Sequence, residues 1–199
     1  MSLSELNPYE MLAVALGLAN IVLLVRRSIW NFPVGIAMVT LYAAIFFERK
    51  LYGEAGLQVF FAGVQIYGWW LWARAGGVDS QVAVRWLGWS ARLGWAILVA
   101  LATLALGTVM HRMTDAALPY PDAFITSASI AAQFLLSFRR LETWALWIVV
   151  DLVSIPLYIM RDLPLTAGLY VIFLGLSIMG LREWVKVASP AGSERGAAA

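Results

Sequence analysis

Apolar residues in this chain run in long blocks broken by brief polar punctuation, and the blocks themselves set the architecture. Seven of them, at roughly 8–25, 30–47, 51–73, 91–110, 121–138, 143–160 and 164–185, each come near the ~20 residues that a helix needs to cross a hydrocarbon core. The connectors between them are short and leave no room for a soluble domain. The longest, 74–90, divides the chain in two and carries Trp86 and Trp89, aromatics of the kind that anchor at a membrane interface.

Polar residues inside the blocks recur at helical spacing. In the sixth block Trp144, Trp147, Asp151, Ser154 and Tyr158 follow at steps of three and four and share one face. The opposite face, with Ile148, Val149, Leu152 and Ile155, suits lipid or neighbouring helices. The third block aligns Gln58, Gln65, Trp69 and Trp72, and the second aligns Asn31 and Tyr42 with Gly35 and Met38 between them. The fifth offers Thr126, Ser129 and Gln133, and the seventh Tyr170 and Ser177. An amide turned toward lipid is short of hydrogen-bond partners, so these faces are predicted to look inward. Such groups also tie helices together, and that is the reading favoured for Thr126, Ser129 and Ser177. Trp72, close to Arg74, and Trp184 are expected to be belt residues at the membrane edge.

Composition turns the block pattern into a class. The 199 residues are 62% hydrophobic and 13% charged, with mean hydropathy +0.79, whereas soluble domains have about 25% charged residues. The chain reads as an all-α integral membrane protein. With no cysteine, disulfides and thiolate-bound metals are excluded. The net charge of +2 does not indicate nucleic acid, because the basic residues stand singly or in pairs between apolar runs. Ten of the fourteen lie in one alternate set of connectors and four in the other. The positive-inside rule then puts the N-terminus outside and the C-terminus in the cytoplasm. No Lys or Arg precedes Arg26, unlike a secretory leader, so the first block is expected to be retained. The tail 186–199, rich in Gly and Ala, is expected to be disordered.

A repeat underlies the blocks. Pro8, Asn20 and Arg26-Arg27 are matched 113 residues later by Pro121, Gln133 and Arg139-Arg140, and Leu41-Tyr42 by Leu157-Tyr158 at an offset of 116. Leu51, Ala55, Phe61, Gly68 and Trp72 are matched by Leu163, Ala167, Phe173, Gly180 and Trp184 at an offset of 112. Two three-helix copies, within 1–73 and 111–185, are expected to flank a connecting helix within 74–110. Because one span intervenes, both copies enter the membrane in the same sense, which makes a 3+1+3 parallel repeat. Parallel repeats are one transporter architecture, with the substrate near mid-membrane. A seven-helix receptor or sensor is the alternative of another class, although the short connectors offer little surface to an effector.

Asp151 sharpens the functional reading. A carboxylate at the centre of a membrane helix costs roughly 2.5–3.5 kcal/mol, and no Lys or Arg lies in the interior of the spans to balance it, Arg92 and Arg182 standing at their ends. A positively charged guest is one answer, and a protonated carboxyl bonded to a neighbour is another. Trp144 and Trp147 favour the guest, since indole is the best aromatic partner for a cation. A flat organic cation bearing hydroxyls is the substrate class this face describes. Nothing comparable supports an enzyme: His111, the sole histidine, sits beside Arg112 in the expected 4–5 connector with Asp115, Asp122 following Pro121 reads as the start of span five, and there is no phosphate-binding loop. No metal or cofactor is expected.

The Trp-x-x-Trp-x-x-x-Asp run of Trp144, Trp147 and Asp151, the Leu-Thr-Ala-x-x-Tyr of Leu165 to Tyr170, the repeated Gly-x-x-x-Trp, and Leu-Tyr-Gly at 51–53 followed by Gln65-x-Tyr-Gly-Trp together resemble the PnuC family of bacterial vitamin-precursor transporters. The likeness runs from about Asn7 to Trp184. It implies a SWEET-like bundle assembled as a homotrimer in the bacterial inner membrane. It further implies facilitated diffusion of nicotinamide riboside, trapped afterwards by a separate cytoplasmic kinase. Related branches carry thiamine or riboflavin. The paired tryptophans and the residue four beyond them belong to the family's binding region, and that last position, often Asn in the family, is Asp here. Candidate substrate contacts are Trp144, Trp147, Asp151, Gln65, Gln58, Gln133, Asn31, Trp69, Tyr158 and Tyr170. Nicotinamide riboside and thiamine both carry a fixed positive charge. Riboflavin and sugars are neutral, and Asp151 makes them the poorer guests. Proton coupling through Asp151 is the rival to passive flow.

Overall fold

The computed structural model describes residues 8–48, 52–76, 83–114, 117–161 and 164–188. Expectations for Leu51, Leu163, Asp115 and the 189–199 tail lie outside these residues, whereas Lys186 to Ala188 continue the last helix. Among the described residues there are seven helices: α1 (Pro8–Val25), α2 (Asn31–Glu48), α3 (Tyr52–Gly76), α4 (Trp89–Met113), α5 (Pro119–Ser137), α6 (Glu142–Met160) and α7 (Pro164–Ala188). Their ends agree with the apolar blocks to within three residues, because in such a chain the charged and turn-forming residues gather where helices stop. Three of them, α2, α4 and α6, are long and apolar enough on their own to cross a membrane.

The chain forms two compact units, residues 1–82 and 83–199. In the first, α2 packs on both α1 and α3. Asn31, Phe32, Gly35, Val39 and Ile45 are its buried positions, and Gly35 lets the side chains of Gln65 and Asn20 approach the α2 backbone. In the second unit, α4 packs on α5, α5 on α6 and α6 on α7. The small residues Ala123, Ser127, Ala128, Ala131 and Ala132 are buried along α5, which lets neighbouring backbones come close where no hydrophobic drive separates helix from lipid. Val99, Ala128, Ala131 and Val150 make a core there, with Trp95, Phe124 and Trp147 packed against it. Thr143 donates to the Ala132 carbonyl at 2.9 Å and bolts α6 to α5.

One turn is built twice. Arg27 and Arg139, 112 residues apart, both have positive φ, 56° and 59°. After α1, Arg27 N–H donates to the Leu24 carbonyl and Ser28 N–H to that of Leu23, both at 2.9 Å. After α5, Arg139 N–H donates to Leu136 at 2.8 Å and Arg140 N–H to Leu135 at 2.9 Å. This pair of bonds around a left-handed residue satisfies carbonyls that the helix end would otherwise leave open. The register corrects the offset of 113 read from the Arg-Arg pairs: Arg27 corresponds to Arg139, so 112 holds here too. The Leu41-Tyr42 match at 116 falls outside that register. Because a left-handed residue with a Cβ costs roughly 1–2 kcal/mol that glycine avoids, Arg27→Gly should be more stable than Arg27→Ala by about 1 kcal/mol in detergent melts.

The same register pairs the tryptophans. Phe32 meets Trp72 edge to face at 5.1 Å and 84°, and Trp144 meets Trp184 at 5.5 Å and 87°. Trp72 and Trp184 are both 0% exposed, which overturns their assignment to the membrane-edge belt. The ridge of one helix needs a large rigid knob at these points, and the indole supplies it. The exposed indole beside Arg74 is instead Trp70, whose ring centre lies 4.0 Å from the guanidinium carbon. His111 is likewise misplaced by sequence, since α4 runs to Met113 and holds it in its last turn. Asp122 stands in the first turn of α5 as expected, and its carboxylate accepts from Arg161 at 2.5 Å. That contact raises the Arg161 pKa above its ordinary value, chiefly through the hydrogen bond to Asp122.

Candidate functional site

Asp151 sits near the middle of α6 and is 2% exposed. Of the described residues, only Ser177 on α7 bonds its side chain: the Ser177 hydroxyl donates to Asp151 Oδ2 at 3.1 Å. A carboxylate has room for about four such bonds, so this acid is under-supplied. Ser177, read from sequence as a helix tie, is the acid's partner. The signal that could have found it was the need of a mid-membrane acid for a donor on a facing helix.

The surroundings hold further unmet demand. Among the described residues, Ser154 Oγ, one turn after Asp151, and Trp144 Nε1, two turns before it, are buried without a close hydrogen-bond partner. Nearly all buried polar groups have one. Pro156 lies inside α6 and removes the N–H that would have closed on the Leu152 carbonyl, which loosens backbone pairing within two turns of the acid. Beyond it the rings of Tyr158 and Tyr170 stack obliquely, 5.0 Å apart, and Phe173 stands edge-on to Tyr170 at 5.7 Å. The α6–α7 pair therefore gathers an acid, two serine hydroxyls, two phenols and an indole N–H.

Trp144 itself is wedged. A Cβ on Gly180 would come within 2.4 Å of its ring, so the glycine is the slot that the indole fills. Trp147 turns instead toward the core shared with α4 and α5. Gln133 on α5 is half-buried, and its main-chain carbonyl accepts from the Ser137 hydroxyl at 3.0 Å.

The first unit has its own polar cluster. Asn31 Nδ2 donates to the Ser28 carbonyl at 2.6 Å and Asn20 Nδ2 donates to the Asn31 carbonyl, so both amides brace the α1–α2 turn. Gln65 is buried over Gly35, while Gln58 is half-buried and Trp69 is exposed. The face read from spacing in α3 therefore splits between inside and outside.

A helical, lipid-compatible chain with under-supplied polar groups in mid-helix is the build of a polytopic membrane transporter, and comparison with known proteins agrees. The family model described as nicotinamide mononucleotide transporter matches residues 7–186. This chain belongs to that family. It is similar to the riboflavin/roseoflavin transporter RibM of Streptomyces davaonensis, 32% identical over 88% of this chain and 83% of the relative. It is also similar to the nicotinamide riboside transporter PnuC of Escherichia coli, 28% identical over 95% and 90%. A crystal structure of the vitamin B3 transporter PnuC superposes with a TM-score of 0.73 and 28% identity, covering 89% of this chain and 80% of the other. The protein is accordingly a multi-pass transporter of the bacterial inner membrane that carries a small molecule.

Proposed function

We propose that the cargo is nicotinamide riboside, moved inward by facilitated diffusion and trapped afterwards by a separate cytoplasmic kinase. One observation carries the choice: among the described residues Asp151, buried in mid-helix, has a single hydroxyl for company and lacks the positive charge that a pyridinium supplies. Buried charges are paired or avoided, and the nicotinamide ring of this nucleoside is a permanent cation. Trp144 is the proposed aromatic partner of that ring, and Trp147, which packs toward the α4–α5 core, is proposed on the family motif alone. Tyr158, Tyr170 and Gln133 are the proposed partners of the ribose hydroxyls. In the first unit Gln65 and Trp69 are proposed cargo contacts on the strength of the family motif, and Gln58 and Asn31 on their residue types and helical spacing.

Riboflavin is the competing cargo, favoured by the likeness to RibM. Its isoalloxazine is neutral and larger, and it leaves the acid without a counter-charge. Thiamine, a thiazolium cation, satisfies the acid but has no ribose for the hydroxyl and amide groups. The 112-residue recurrence of turn and ring pair supports α1–α3 and α5–α7 as two parallel copies, with α4 as the link, in a 3+1+3 SWEET-like arrangement. A homotrimer, an outside N-terminus and a cytoplasmic C-terminus complete the proposal, the last two resting on the distribution of Lys and Arg.

Counterflow in proteoliposomes tests it. Vesicles loaded with unlabelled nicotinamide riboside should accumulate the labelled compound with no ATP and no proton gradient. Riboflavin-loaded and thiamine-loaded vesicles should exchange their own label at least tenfold more slowly. Equal exchange of riboflavin would assign the flavin, and dependence on an imposed proton gradient would replace passive flow with coupling.

A further inference from the structure

Residues 83–88 run beside the α5–α6 turn and are stitched to it by main-chain bonds. Arg85 N–H donates to the Arg139 carbonyl at 3.1 Å, and Leu141 N–H donates to the Arg85 carbonyl at 3.2 Å, making a single parallel bridge between Arg85 and Arg140. The bridge brings three arginines, Arg85, Arg139 and Arg140, to one edge of the unit. The acid nearest in sequence, Glu142, is already engaged: its carboxylate accepts from Leu87 N–H at 3.0 and 3.2 Å and from Arg92 Nε at 2.7 Å. Among the described residues none of the three arginines forms an ion pair. The crowding has a cost at Arg139, whose pKa is held below its ordinary value by burial and then by the charges of Arg140 and Arg85.

Main-chain bonds that hold like charges together leave a place for an anion. The neighbours say which kind. Trp86 is exposed and Trp89 is 82% exposed, and the Arg92 guanidinium lies 5.0 and 5.8 Å from their ring centres, an arrangement at home among lipid headgroups. From there α4 presents Leu93, Ile97, Leu101 and Leu104, all exposed and at steps of four, four and three, as one apolar stripe. A free phosphate satisfies the arginines and ignores the stripe. A phospholipid satisfies both.

We propose that Arg85, Arg139 and Arg140 bind the phosphate headgroup of an anionic phospholipid whose acyl chains lie along the Leu93, Ile97, Leu101 and Leu104 stripe of α4. The site is independent of the cargo and holds whichever vitamin the protein carries. Each arginine near an anionic surface is worth about a fivefold change in binding.

The test uses the full chain, purified in detergent and examined by native mass spectrometry with added phosphatidylglycerol or phosphatidylcholine. Wild-type protein should retain phosphatidylglycerol preferentially and melt at a higher temperature with it than with phosphatidylcholine. R85Q/R140Q, which leaves the main-chain bonds in place, should weaken that binding about thirtyfold, while R85K/R140K should keep most of it. Inorganic phosphate and glycerol phosphate at millimolar concentration should not displace the lipid. Equal retention and equal melting with the two lipids would overturn the site, as would undiminished binding by a folded R85Q/R140Q. Displacement by inorganic phosphate at the lipid's own concentration would overturn the lipid as its occupant. Should R85Q/R140Q fail to fold, the wild-type preference and the lysine pair decide the matter.

Discussion

Replacing Asp151 by Asn should weaken binding of nicotinamide riboside by roughly thirtyfold, about 2 kcal/mol, while binding of its dihydro form, whose ring carries no charge, should change less than threefold. The substitution preserves shape and removes the charge, exchanging one acceptor oxygen for an amide N–H donor. In the folded chain this side chain is buried and bonded by one hydroxyl, so little else screens it from a cation placed against it. Ser177→Ala should produce a smaller loss in the same direction, because the acid keeps its charge and loses the donor that orients it. Isothermal titration of purified protein with the two forms of the nucleoside reads the difference directly. Equal losses for charged and uncharged ring would assign Asp151 to helix packing and remove the case for a cationic cargo.

Truncating Trp184 to Ala should lower stability by about 3 kcal/mol, and Trp72→Ala by a similar amount, with cargo affinity in the surviving folded fraction little altered by the latter. The estimate sits at the low end for large-to-small changes of a buried aromatic, because the reference for a helix leaving its neighbour in a membrane is lipid, and only packing is lost. Both rings are fully buried in edge-to-face pairs, Trp72 with Phe32 and Trp184 with Trp144. Gly180→Ala attacks the same joint from the other side. Its new Cβ meets three atoms of the rigid Trp144 ring at 2.4 to 2.5 Å, so the ring or α7 must move, at about 1–3 kcal/mol. Thermal melts in detergent measure all three. If the wedge also sets the direction from which Trp144 meets the cargo, Gly180→Ala will weaken nucleoside binding beyond what its loss of stability explains.

Helix positions were legible in the chain because membrane-spanning length and charge exclusion act on contiguous residues, and contiguous residues are what a sequence displays. The recurrence of Gly-x-x-x-Trp was legible for the same reason, and it pointed to the joints now seen at Trp72 and Trp184. Which way those indoles face was not. Spacing places Trp69 and Trp72 on one side of α3, yet Trp72 is sealed against Phe32 while Trp69 stays exposed, since a helical face is about as wide as the boundary between packed and open.

Sequence by itself determined that the chain is a bundle of apolar helices with an acid stranded in one of them, for burying a charge is costly wherever the helix lies. It also determined the motif that assigns the family. Only the tertiary structure decided what that acid touches: Ser177 lies 26 residues away, on another helix, and was one of several hydroxyls with equal claim. The same holds for the left-handed turns at Arg27 and Arg139 and the arginines gathered by the Arg85 bridge. The physical reason is common to all three. Hydrophobicity is a property of each residue and adds along the chain, whereas a hydrogen bond, a ring contact or a like-charge cluster is a property of pairs, and pairs exist only once the backbone has chosen its path.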